Sequence, residues 1–143
     1  MLSLAQTRGE VTVVSDQWGY PTYCPDLADG LLRMAGAACE PGFGGSGTYH
    51  LAGDDEIDRA GMARRIFAES GALGGAASVR GVPTSDYPTP AKRPSNARLG
   101  SQKAIETFGL RMPDWSPGLR ESVRKLVAEN SARSGPGPDR KPG

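Results

Sequence analysis

An α/β fold is what the sequence predicts, and three observations carry the prediction. Residues 11–14 (VTVV) form a continuous β-branched run of the kind that fills a buried strand. Helical apolar spacing follows over residues 27–38 and returns over 62–67 and 119–127. Two further short extended runs, 48–52 (TYHLA) and 79–82 (VRGV), fall between those helices. Strands alternating with helices indicate the α/β class, although two or three short strands are too few for a complete doubly wound sheet. A chain of 143 residues with 37% hydrophobic content can bury one modest core. Its 20 Gly and 12 Pro are well above average, so loops are numerous.

Each element has a local reason. Residues 1–7 read as the end of a helix: Leu2, Leu4 and Ala5 are apolar, no N-cap precedes them, and Arg8-Gly9 supplies a stop. After the 11–14 strand, Pro25 and Asp26 open a helix, because Pro suits the first turn and Asp its positive end. Leu27, Leu31, Met34, Ala35 and Ala38 give that helix one apolar face. A Gly-rich loop leads to TYHLA, read as a second strand. Asp58 is a good N-cap for the next helix, which presents Met62, Ala63, Ile66 and Phe67 and stops at Gly71. The run 79–82 is a third strand or extended segment. Residues 83–94 carry four prolines and predict an irregular loop. A short helix over 101–108 ends at Gly109. Ser116 and Pro117 open a last helix whose Leu119, Val123, Leu126 and Val127 share a face. From Ser131 onward almost nothing is apolar, which predicts a disordered tail over 131–143 after a folded part over 1–130.

Composition excludes several functions. A net charge of +1 provides no field that would recruit nucleic acid or an acidic membrane. No apolar run approaches membrane-spanning length, and the N-terminus lacks a secretory pattern, so a cytoplasmic protein is expected. Cys24 and Cys39 match no CxxC spacing and read as thiols in a reducing compartment. Residues 42–47 (GFGGSG) match GxGxxG, but a helix precedes them and a strand follows, the reverse of what a dinucleotide loop requires. A connector is the better account. Asp54, Asp55, Glu56 and Asp58 place Arg59 where a calcium loop wants Gly, leaving a solvated loop and a cap. His50, the only histidine, alternates with Tyr49 and Leu51 and is read as a hydrogen-bonded structural residue. No Tyr is followed four residues later by Lys, and neither a Walker lysine nor HExxH occurs. No catalytic, cofactor-binding or metal-ligating residue is therefore assigned.

Two segments remain. In residues 17–22, Gly19 and Pro21 make a tight turn, and Gln17, Tyr20 and Thr22 offer donors and acceptors beside a helix N-terminus, an arrangement suited to phosphate. In residues 87–99 (YPTPAKRPSNARL), Lys92, Arg93 and Arg98 sit in a Pro-stiffened loop, and Arg93 could fork onto a diphosphate. A structural turn and a solvated basic loop are the competing account.

The order of segments resembles the C-terminal, substrate-binding half of the dTDP-4-dehydrorhamnose reductases, RmlD-like members of the extended short-chain dehydrogenase/reductases. The matching pieces are Val14-Ser15-Asp16-Gln17 with Gly19, Pro21, Thr22 and Asp26-Leu27-Ala28. They continue with GTYHLAG over 47–53, YPTPAKRP over 87–94, Asn96, Arg98 and Leu99, then Pro113, Trp115 and Leu119. Ala97, Gly100 and the Asp58-Arg59 pair depart from the family pattern; a hydroxyl–Trp pair is usual at the last. The resemblance implies a partial Rossmann-type sheet with a substrate-binding subdomain. It implies a part of an enzyme that reduces dTDP-4-dehydro-L-rhamnose to dTDP-L-rhamnose with NADPH or NADH. The cofactor loop and Tyr/Lys pair of that family lie in its N-terminal half, so this chain is expected to be inactive alone. The expected partners are a dTDP-sugar nucleotide and an N-terminal Rossmann half or a second copy. By resemblance Gln17, Gly19, Pro21 and Thr22 wall the sugar-nucleotide pocket, Tyr20 lies within the same turn, and Arg93 lies near the nucleotide end. The alternatives are a non-catalytic regulatory or interaction module of the same fold, and a fragment of another nucleotide-sugar reductase or epimerase.

Overall fold

The computed structural model describes residues 7–71 and 78–133. Residues 1–6 of the helix end expected over 1–7 lie outside them, as does the tail beyond 133. The described chain is mixed α/β with two small sheets, in agreement with the predicted class.

Strand β1 (Glu10–Val14) pairs in parallel with β4 (Ser78–Val82), in register from Glu10↔Ser78 to Val14↔Val82. Two parallel strands cannot bury themselves, so one face needs a helix. Helix α2 (Arg59–Glu69) supplies it: Ala60, Ala63 and Phe67 pack with Val11 and Val13, and Ile66 and Val79 close the edge. The α2 start is as predicted, with Asp58 Oδ1 accepting the Gly61 N–H at 2.8 Å.

The second sheet has three strands of two residues each, in the order β3 (Ile57–Asp58), β2 (Trp18–Gly19), β5 (Asn96–Ala97). Trp18 pairs antiparallel with Asp58 and parallel with Asn96. The turn singled out from sequence is thus the centre of a sheet, between the middle helix and the Pro-rich loop.

The predicted strand TYHLA is corrected. Residues 48–52 belong to no ladder, although the side chains still alternate, with Tyr49 and Leu51 half-buried and His50 exposed. Side chains and loops take the backbone partners a neighbouring strand would have offered. Ser101 Oγ accepts the Ala52 N–H at 3.2 Å, Thr22 Oγ1 accepts the Gly53 N–H at 3.0 Å, and Lys103 Nζ donates to the Thr48 carbonyl at 3.1 Å. His50 is therefore not a packed structural histidine. The Gly-rich connector before it is seated: Phe43 stacks on Phe108, and Tyr49 meets the same ring edge-on.

Helix α1 (Cys24–Ala38) begins with Pro25 in its first turn, as expected. Its predicted apolar face is only partly used. Gly30 is its buried residue, and Leu51, Leu110 and Met112 press against it. Leu27 and Met34 are half-buried, whereas Leu31, Ala35 and Ala38 are exposed. A glycine brings the helix backbone against its neighbours, and that approach sets the rotation in place of the leucines. Both Cys24 and Cys39 are free and exposed.

Helix α3 (Gln102–Phe108) ends at Gly109 with φ 63°, the left-handed stop read from sequence. Helix α4 (Ser116–Arg133) starts where Asp114 Oδ1 accepts both the N–H and the hydroxyl of Ser116 at 2.9 Å. Val123 is buried and Leu119 and Val127 half-buried, but Leu126 is exposed. The helix runs to Arg133, so residues 131–133 are helical and not part of a disordered tail.

Candidate functional site

The site is built on the exit from β1. Asp16 accepts the Thr84 hydroxyl at 2.6 Å and the Thr84 N–H at 2.9 Å. These bonds hold the Asp16 carboxyl below the usual carboxylate range, the hydroxyl contributing most. Thr84 Oγ1 in turn accepts Gln17 Nε2 at 3.1 Å. Gln17 is 7% exposed, so its amide is pinned between the two parallel strands' ends and the cleft that follows. The Arg59 N–H donates to the Gln17 carbonyl at 3.2 Å, and the Trp18 N–H to the Ser95 carbonyl at 2.9 Å. One short strand therefore fixes both the start of α2 and the end of the Pro-rich loop.

A cavity of about 500 Å³ opens over β2, walled by Gln17, Trp18, Gly19, Tyr20, Pro21 and Arg93 together with Ile57, Arg59 and Met62. A second cavity, of about 590 Å³, adjoins it along β1 and shares Gln17, Arg59 and Arg93 with the first. Five of the six residues singled out from sequence thus line one cleft. The sixth does not. Thr22 lies under the turn, where Oγ1 accepts the Gly53 N–H and donates to the Tyr20 carbonyl at 3.4 Å. Arg98 is also apart, in a 2.6 Å ion pair with Glu56. Tyr20 faces both the cleft and a separate cavity of about 510 Å³ bordered by Arg98 and Arg111.

Sequence reasoning missed Trp18, Arg59 and Met62. Asp58 reads as a cap, and Arg59 directly after it falls at the first position of the helix, where the helical pattern assigns it no role. The signal was present in the departure of Asp58-Arg59 from the hydroxyl–Trp pattern.

What the cleft can do is bind. It offers cationic guanidiniums, a fixed amide and an apolar wall, the mixture suited to a ligand with an anionic centre and a flat apolar end. The Gly-rich segment 42–47 does not have the setting of a dinucleotide loop. Residues 42–47 follow α1, lead into an extended segment and are packed on α3 through Phe43, so no helix N-terminus stands behind them. Among the described residues, no group of three or more His, Cys, Asp or Glu is placed to hold a metal ion, and no helix is long and apolar enough to cross a membrane.

Comparison with known proteins shows the family and the fold. The family model "RmlD substrate binding domain" matches residues 1–128. The dTDP-4-dehydrorhamnose reductase of Burkholderia thailandensis is 36% identical over 137 residues, covering 90% of this chain and 46% of that protein. Among solved structures, a dTDP-4-dehydrorhamnose reductase from Clostridium acetobutylicum superposes with a TM-score of 0.75 at 29% identity, over 87% of this chain and 41% of that one. The dTDP-4-dehydrorhamnose reductase of Bacillus anthracis, solved in complex with NADP, gives 0.70 at 26% over the same shares. The chain spans less than half the length of these relatives.

Proposed function

Because the chain belongs to the RmlD substrate binding domain family, we propose that its cleft holds a dTDP-sugar nucleotide and that the chain is the substrate-binding part of a dTDP-4-dehydrorhamnose reductase. The observation that carries this reading is the convergence of Gln17, Gly19, Tyr20, Pro21 and Arg93 on one cavity. In it the Arg93 fork takes the diphosphate, and the Gln17 amide, held by Thr84, shapes the wall. Thr22 acts from beneath, keeping the turn against Gly53.

Reduction of a 4-keto sugar needs a hydride donor against the ketone and a proton donor beside it. The complex of the Bacillus anthracis relative with NADP supports NADPH as that donor, and residues 42–47 here lack the strand–turn–helix order of a dinucleotide loop. The chain therefore contributes binding and orientation, and the chemistry is completed by residues of an N-terminal Rossmann half.

Calorimetric titration of the purified chain with dTDP tests the reading. Saturable uptake is expected, weakened about tenfold, or 1.4 kcal/mol, in Arg93→Ala. No turnover is expected with NADPH and dTDP-4-dehydrorhamnose. Absence of dTDP uptake by the unaltered chain would overturn the reading in favour of an interaction module.

A further inference from the structure

We infer that Arg59 is a second cation for the ligand's diphosphate, forming with Arg93 a two-arginine clamp across the neck of the cleft. This deepens the nucleotide-sugar reading above and rests on it. The cleft is two adjoining cavities, and the residues common to both walls are Gln17, Arg59 and Arg93. The neck is thus polar and doubly cationic, while the lining of the first chamber also includes Trp18, Ile57, Met62 and Pro94. A diphosphate flanked by a flat base on one side and a sugar on the other has the same distribution of charge.

The backbone delivers the two arginines from opposite sides of β2. Arg59 directly follows β3, and Arg93 lies just before β5. Adjacent strands are about 4.8 Å apart, so β3 and β5 flank β2 at a mutual separation of roughly 10 Å. Two arginine side chains reaching inward span that width over Trp18 and Gln17. A diphosphate presents oxygens on both phosphoryl groups, and two planar forks from opposite sides satisfy more of them than one can.

Both guanidiniums are also available. Among the described residues, Arg80, Arg98 and Arg111 each pair with a carboxylate, and Arg59 and Arg93 do not. The carboxylates on the cleft walls are otherwise engaged: Asp58 Oδ1 accepts the Gly61 N–H, and Glu10 pairs with Arg80 at 3.5 Å.

The experiment is calorimetric titration of the full chain and of Arg59→Ala, Arg59→Lys and Arg93→Ala with dTDP, dTMP and thymidine. Arg59→Ala is expected to weaken dTDP about tenfold, dTMP less, and thymidine not at all. Arg59→Lys should recover only part of the loss, since it keeps the charge and loses the fork. The salt dependence of dTDP binding should flatten when either arginine is removed. Arg59 is exposed at the start of α2, and thermal melts of the variants establish that they fold. If Arg59→Ala binds dTDP as the unaltered chain does while Arg93→Ala is weakened, the clamp is wrong and the nucleotide-sugar reading survives. If the unaltered chain takes up no dTDP, both fall.

Discussion

Thr84 decides how Asp16 and its neighbour in the cleft wall, Gln17, sit. Its hydroxyl donates to Asp16 and accepts from Gln17, and its N–H holds the second Asp16 oxygen. The native carboxyl is therefore harder to protonate than the unfolded one, whose pKa is about 3.9. The stability this contributes is fully present above that value and is lost as pH falls through the lower native value. Thermal midpoints of the chain should accordingly decline below about pH 4. Thr84→Val, which removes the larger hydroxyl bond and keeps the N–H, should show a shallower decline; an unchanged acid profile would refute the assignment. Thr22 gives a second residue-scale outcome. Thr22→Val strips the acceptor from the Gly53 N–H and should cost about 1–2 kcal/mol in urea unfolding. Since Thr22 lies outside the cleft wall, dTDP affinity of the folded fraction should move far less than in Arg93→Ala.

At the scale of elements, strong local signals were readable and long-range hydrogen bonding was not. The VTVV run, the Asp58 cap, the Gly109 stop and the start of α1 at Pro25 each follow from a few neighbouring residues, and each is found. The three two-residue strands have no period to detect, because Trp18-Gly19 is chosen by partners far along the chain, Ile57-Asp58 on one side and Asn96-Ala97 on the other. TYHLA has a strand's alternation without a strand's partners. The cleft shows the same division. Its turn residues stand together in sequence and were found, whereas Arg59 reaches the cleft only because β3 pairs with β2. Gly53 illustrates how strictly these pieces are joined. A Cβ there would overlap the Pro21 carbonyl oxygen, and a backbone atom cannot swing aside. Gly53→Ala should cost about 3 kcal/mol and displace the 19–22 turn, so dTDP binding should fall together with stability. Loss of stability with intact dTDP affinity would mean that the turn is not held by this contact.

For the whole molecule, charge and apolar exposure point in the same direction. A net charge of +1 gives almost no repulsion between copies. Leu31 and Leu32 meanwhile stand 53% and 71% exposed on α1, because Gly30 and not a leucine seats that helix. Fully burying a leucine side chain is worth about 1.5–3 kcal/mol, so two adjacent leucines are enough to drive weak self-association when nothing opposes it. Neither side chain belongs to the buried core, and glutamine is nearly as good a helix former as leucine. Leu31→Gln/Leu32→Gln should therefore leave the thermal midpoint nearly unchanged while removing the rise of average mass with concentration in sedimentation or light scattering. The unaltered chain should show that rise. Equal mass profiles for the two proteins would show that this face does not govern how copies meet. A large fall in thermal midpoint would show instead that the leucines support the fold, and that the seat of α1 on Gly30 is not sufficient to hold it.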